Sequence, residues 1–365
     1  RSAGCEVLGE IDFAALAWPG EIIAITGTNG KTTLTELLTH ALRHAGRDAR
    51  AVGNVGTAFC DAWRTAATAE SIAVCEVSSF QAETLRFFEA SATLWSNFAE
   101  DHLERHGTME AYFRAKYNLV KRTRGRLVFF GQSVLRAARE VGCELPVDRC
   151  VPFDAVPVDP RIEATVFGRV PQRENFLLLR ALWRHLGWEE ERLIQAVLSF
   201  RLGGHRLARV AEVRSVGYWN DSKGTNFHAV EAALSGFERP VLWIGGGRAK
   251  GGDISGFASR IASRIRTAFV IGETREILAE QFRRLAVPVV VCETLRDAVI
   301  HARDAAVAGD QVLLSPGFAS FDMFKGYDDR GRQFEAIVAD LARENRDARP
   351  ASKTFPSIPE TLSLL

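Results

Sequence analysis

Residues 22–33 read IIAITGTNGKTT. An apolar, largely β-branched run passes directly into a Gly-rich turn ending in Lys and Thr, the order of a buried strand, a phosphate loop and a helix start. Glycines in such a turn let main-chain N–H groups face phosphate oxygens, and the helix N-terminus adds positive potential. Lys31 can reach the β/γ oxygens and Thr32 can hold Mg²⁺, so the stretch predicts use of ATP. The general phosphate-loop pattern has its first Gly where this chain has Ile25, and Gly27 stands closer in. Taken alone, the short form reads equally well as a Gly-rich strand-to-helix turn.

Downstream, residues 33–45 (TLTELLTHALRHA) put Leu34, Leu37, Leu38, Ala41 and Leu42 at helical spacing, with Gly46 as a stop. Short apolar runs recur at Ile72–Val77, Ala92–Ser96 and Leu127–Phe130, the form of buried parallel strands in βα units. Residues 174–187 and 189–200 read as two further helices leading to FRLGGHR. Beyond it the pattern restarts, with strands expected at Arg214–Trp219, Val241–Gly245, Ala268–Ile271, Val287–Val291 and Gln311–Leu314 and helices at 228–236, 256–265, 274–285 and 295–306. The fold class is therefore α/β: a P-loop-type central ATPase domain with a parallel sheet, residues 19–203, followed by a Rossmann-like C-terminal domain, residues 204–345. Residues 346–365, rich in Pro, Ser and charge, read as a disordered tail.

A chain of 365 residues, 47% hydrophobic and 25% charged, has the composition of a two-domain globular protein. A formal net charge of +1 offers no general attraction to nucleic acid or an anionic membrane surface. No apolar run approaches the roughly 20 residues that span a bilayer, and RSAGCEVLGE lacks the features of a signal peptide. A cytoplasmic monomer with small-molecule substrates is expected. The six cysteines show no metal-like spacing, and most of them read as small buried hydrophobes.

Several polar groups fall at expected strand ends. Glu76 in CEVSSFQ can hold Mg²⁺ or pair with a neighbouring base, while Ser78 and Ser79 can cap the next helix. In SNFAEDHLERHG, His102 offers a neutral nitrogen to a metal beside Glu100 and Asp101, or these residues open a helix; His106 reads as a surface residue. Lys116 in YFRAKYNLV reads on its own as a solvated helical lysine. The segments GGHRLA, YWNDSKGTN, IGGGRAKGGD and SPGFASFDMFKGYDDRG follow strands or the domain boundary, so several are expected to face one interdomain crevice.

In order, GTNGKTT, GNVG, EVSSFQ, NFAEDHLERHG, FRAK, GHR, NDSKGTN, GGGRAKGGD and SPGFASFDMF closely resemble the Mur ligase family, from about residue 5 to residue 342. The resemblance implies an ATP-dependent amide ligase forming an acyl phosphate, and SPGFASFDMFK favours members that add D-glutamate to UDP-N-acetylmuramoyl-L-alanine. It implies that Gly27, Thr28, Asn29, Gly30, Lys31, Thr32 and Thr33 cradle the ATP phosphates, and that Asn175, Arg206 and Asp221 bind nucleotide, the last two through γ-phosphate and ribose. Thr32 and Glu76 would hold one Mg²⁺ and His102 a second. Lys116 would carry a carbamate and Lys223 would approach the phosphates. Asn54 and Ser78 would meet substrate, and Thr225, Lys250, Ser320 and Phe324 would surround D-glutamate.

The chain departs from the family pattern in two places. A His-Asn pair with another Asn a turn later is replaced by QRENFLLL, with Glu174, Asn175 and Leu178, and the stretch from Leu127 to Gln172 is short. The resemblance also implies an N-terminal uridine-diphosphate domain, of which residues 1–18 would be the end and linker. Two alternatives stay open: a related ligase for another amino acid such as L-glutamate, and a catalytically idle nucleotide-binding fragment.

Overall fold

A computed structural model describes residues 7–64, 66–154 and 156–347. The first sheet has six strands, β1 (Glu21–Thr26), β2 (Ala49–Gly53), β3 (Ile72–Glu76), β4 (Ala92–Trp95), β5 (Val128–Gly131) and β6 (Cys150–Val151), all parallel in the order β2-β3-β1-β4-β5-β6. Five of the six β1 residues are buried because helices cover both faces, which is why the strand reads as a continuous apolar run. Ile23 and Ile25 point to one face, where they meet Leu34, Leu37, Leu38, Ala41 and Leu42 of helix Lys31–His44. Ile22 and Ala24 point to the other, against Ile11 and Ala14. Each of those five helical side chains is fully buried, so a single Leu38→Ala would cost roughly 2–5 kcal/mol.

The second sheet comprises β7 (Ala208–Val213), β8 (Val216–Asn220), β9 (Val241–Gly246), β10 (Ile265–Ile271), β11 (Val289–Val291) and β12 (Gln311–Leu314), in the order β11-β10-β9-β12-β8-β7. It is parallel except for β7, which runs antiparallel to β8 on the edge. Two apolar clusters cover its faces.

Two boundaries differ from expectation. Helix Glu10–Ala17 belongs to the first domain's core, with Ile11 and Ala14 buried, and is not a linker. Its Asp12 carboxylate accepts the main-chain N–H groups of Arg86, Phe87 and Phe88 at 2.8, 2.9 and 2.6 Å, which fixes the helix to the loop preceding β4. The last helix, Tyr327–Asp347, runs two residues past the expected start of the tail. The rest of that tail, and residues 1–6, lie outside the described residues. Among the described residues no helix is long and apolar enough to cross a membrane.

Candidate active site

The turn 27–30 leaves β1 where the chain passes from β3 on one side to β4 on the other, the position at which open α/β sheets bind ligands. Two of its residues must be glycine. A Cβ on Gly27, at φ 152°, would lie 1.9 Å from Ser96 Oγ, and one on Gly30, at φ 81°, would lie 2.6 Å from Asn175 Oδ1. The β4 end frames the loop: Thr28 N donates to Asn97 O at 3.0 Å and Asn29 N to Asn97 Oδ1 at 2.9 Å. Lys31 Nζ donates to Gly27 O at 3.0 Å and Thr28 O at 2.9 Å. Burial, helped by Lys250, lowers its pKa against the opposing pull of Glu76 and Asp101. Thr32 and Thr33 open the helix.

Glu76 ends β3 and is buried. Its Oε1 accepts from Asn54 Nδ2 at 2.8 Å, whereas Oε2 has no partner among the described residues. A buried carboxylate oxygen without a donor carries a large desolvation penalty unless a cation or hydrogen-bond donor meets it. Ser78 takes the capping role: its Oγ accepts from Gln81 N at 3.3 Å and donates to Gln81 Oε1 at 2.9 Å.

Lys116 is not a solvated lysine. It lies on helix Met109–Lys121, 1% exposed, with Nζ 2.8 Å from Gly27 O, 3.4 Å from Thr26 Oγ1 and 5.0 Å from the Tyr112 ring centre. Burial, with Lys31 nearby, holds its amine well below the usual lysine range although Asp101 and Glu76 pull the other way. Tyr112 shares a 3.2 Å hydrogen bond with the Thr28 hydroxyl, and its ring centre is 6.4 Å from that of His102. His102 adopts a left-handed backbone, φ 55°, with its ring nitrogens 3.7 Å from Asp101 Oδ2 and 3.4 Å from Glu104 Oε1. His106 is half-buried rather than on the surface, its Nε2 3.0 Å from Ser79 Oγ and its ring stacked on Phe80. Among the described residues no cluster of three or more His, Cys, Asp or Glu gathers as a ready-made metal site.

The second domain brings its own charges to the same place. Lys223 Nζ donates to Thr32 Oγ1 at 3.1 Å and lies 5.2 Å from the Tyr327 ring centre; burial, then the neighbouring Arg206, bring its pKa down to about 8. Arg206 pairs with Glu36 at 3.0 Å. Asp221 accepts from Leu207 N at 3.1 Å and Ser315 Oγ at 2.7 Å, and burial raises its pKa to about 7. Lys250 Nζ is 3.6 Å from Asp101 Oδ1. Burial opposes the Asp101 charge, but Lys250, His102 and Asn226 together hold its carboxyl below the usual range. The fully buried Arg330 donates to Ser222 Oγ at 3.0 Å, Ser222 O at 2.8 Å and Phe318 O at 3.4 Å, joining the loops after β8 and β12.

A cleft of about 470 Å³ runs between the domains from Lys31 and Thr32 past Asn175, Asp221, Lys223 and Lys250. An adjoining pocket unites His102 with Thr225, Lys250, Gly317 and Phe318. Ser320 and Phe324 line neither; Ser320 is buried, and Phe324 packs on the second domain's core. Tyr327, three residues on, lines the cleft. Neither Tyr327 nor Asn226 was singled out by sequence, although each lies inside a quoted loop. Leu178 is fully buried in the first core and lines neither pocket, whereas Glu174 lines the cleft, raised to about 7 by burial and Asp154.

Comparison with known proteins agrees with this architecture. The family profile for the Mur ligase middle domain matches residues 25–140, and that for the Mur ligase, glutamate ligase domain matches residues 205–318. The UDP-N-acetylmuramoylalanine–D-glutamate ligase of Caldicellulosiruptor bescii is 34% identical over 93% of this chain and 79% of its own length. That of Nitratidesulfovibrio vulgaris is 36% identical over 93% of this chain and 77% of its own. The solved structure of MurF ligase from Thermotoga maritima in complex with ADP superposes with a TM-score of 0.65 at 16% identity, covering 93% of this chain and 86% of that one. E. coli FolC in complex with ADP gives 0.61 at 17% identity, covering 93% and 96%.

Proposed function

The chain belongs to the Mur ligase family, and we propose that it is an ATP-dependent amide ligase joining D-glutamate to UDP-N-acetylmuramoyl-L-alanine in peptidoglycan precursor synthesis. The observation that carries the reading is the Lys223–Thr32 contact at 3.1 Å, which brings a cation of the second domain onto the phosphate loop of the first.

Phosphoryl transfer from ATP to a carboxylate brings together anions, so it requires positive charge around the transferred group. Lys31 and Lys223 are the residues suited to hold that group, with Arg206 and Asp221 toward γ-phosphate and ribose and Asn175 beside the loop. The unpartnered Glu76 Oε2 and the Thr32 hydroxyl fit a divalent cation, with Asn54 orienting Glu76. Mg²⁺ bound there supplies charge neutralisation between nucleotide and acid. A second cation would rest on His102 and on Lys116 once the latter is carbamoylated. The lowered pKa of Lys116 favours that modification: its neutral Nζ lone pair bonds to the carbon of CO₂, an N–H proton leaves to solvent, and an anionic carbamate replaces the neutral amine. Lys250 and Thr225 are placed by this reading at the amino acid's carboxylates, and Ser78 and Asn54 toward the first substrate. The neutral amine of D-glutamate then attacks the acyl phosphate, releasing phosphate and leaving the amide.

The test is phosphate release by the protein with ATP, Mg²⁺, UDP-N-acetylmuramoyl-L-alanine and a panel including D- and L-glutamate. Release that needs both the nucleotide-sugar acid and D-glutamate is expected. Release with L-glutamate instead would reassign the amino acid, and none with any would overturn the ligase assignment.

A further inference from the structure

Asn29 is held by both domains, in two different ways. Its main chain belongs to the first domain: the carbonyl accepts from Ser96 Oγ at 2.5 Å and Asn97 Nδ2 at 3.2 Å, and its N–H donates to Asn97 Oδ1 at 2.9 Å. Its side chain belongs to the second. Asn29 Nδ2 donates to Asn226 Oδ1 at 3.2 Å and to His228 Nδ1 at 2.9 Å, while Asn29 Oδ1 accepts from Asn226 Nδ2 at 2.9 Å. The other Asn226 Nδ2 hydrogen goes to Asp101 Oδ2 at 3.0 Å, so all four amide hydrogens of this reciprocal pair have acceptors. Residues 29 and 226 are largely shielded from solvent, and a contact with every donor used leaves little freedom for either partner.

We propose that Asn226 and His228 are positioning residues for ATP: through the Asn29 side chain they hold the phosphate loop in its nucleotide-binding register only while the second domain is docked. Nucleotide on the loop and docking of the second domain then favour one another by the same factor. The inference rests on the proposed use of ATP and goes beyond it by naming the contact that couples loop to domain.

The experiment is a double-mutant cycle with Asn29→Ala and Asn226→Ser, read by fluorescence binding of a mant-labelled ADP with Mg²⁺ and by KM and kcat. Asn226 Oδ1 also caps helix Phe227–Ser235 by accepting from Ala229 N at 2.9 Å, and Ser preserves that cap while removing the amide donors. Each single variant should weaken mant-ADP binding by about fivefold to twentyfold, and the double variant no more than the worse single. KM for ATP should rise several-fold more than KM for the amino acid, whose pocket Asn226 also lines, a split that general destabilisation does not produce. Additive losses, or unchanged nucleotide affinity in Asn226→Ser, would overturn the proposal alone. Absence of mant-ADP binding by the unaltered protein would overturn the ATP reading together with it.

Discussion

Lys116 Nζ donates to the carbonyl oxygen of Gly27 at 2.8 Å, so a helical lysine from the first domain's far flank sits under the phosphate loop itself. An ammonium there is poorly solvated and faces Lys31, which is why its proton is held so weakly.

Lys116→Ala should lower kcat by about a hundredfold or more, and Lys116→Arg should not restore it, because a guanidinium cannot carry a carbamate. Carbon-13 NMR with labelled bicarbonate should show a carbamate resonance that Lys116→Ala lacks. Full activity in bicarbonate-free buffer with an unmodified amine would count against the modification.

Glu76→Gln keeps an oxygen to accept from Asn54 and removes the charge. The Mg²⁺ concentration for half-maximal activity should rise about tenfold or more, and Asn54→Ala, which frees Glu76 to rotate, should move it in the same direction. Titration of activity with Mg²⁺ checks both; an unmoved midpoint in Glu76→Gln would remove Glu76 from the cation's ligands.

Lys223 loses its proton at about 8, so about nine-tenths of it is charged at pH 7 and about one-tenth at pH 9. The kcat/KM for ATP should therefore fall as pH rises through 8. Lys223→Arg, which stays charged, should carry the fall to higher pH even at reduced activity. A profile unaffected by this substitution would assign the titration elsewhere.

Leu178→Asn restores a residue type of the family pattern at a fully buried position in the first core. Placing an amide there should cost roughly 2–4 kcal/mol of stability by urea denaturation. It should not lower KM for ATP, and an improved KM would show that position 178 reaches the nucleotide.

Much of this was legible because buried parallel strands leave a plain signature: Ile22–Ile25 and Ile72–Val74 are apolar on both faces. β7 was missed because ARVAEV, an antiparallel edge strand with only Val213 buried, shows neither a continuous apolar run nor a strict alternation. The burial of Lys116 could not be read from its helix, whose surroundings are set by β1 and its loop, ninety residues away in sequence. Phe324 and Tyr327 part company for a related reason. Both are aromatic in one loop, and only the start of helix Tyr327–Asp347 turns the second toward Lys223 while the first meets the core.

The buried guanidinium of Arg330 bears on how this protein could be re-engineered or could diverge. Because one side chain staples the segment holding Ser222 to the segment holding Phe318, grafting either stretch from a homologue of different substrate preference would leave three hydrogen-bond directions mismatched. Altered selectivity should therefore be reached by exchanging both stretches with the start of the final helix as one cassette, and single-loop swaps should yield misfolded or silent chimeras.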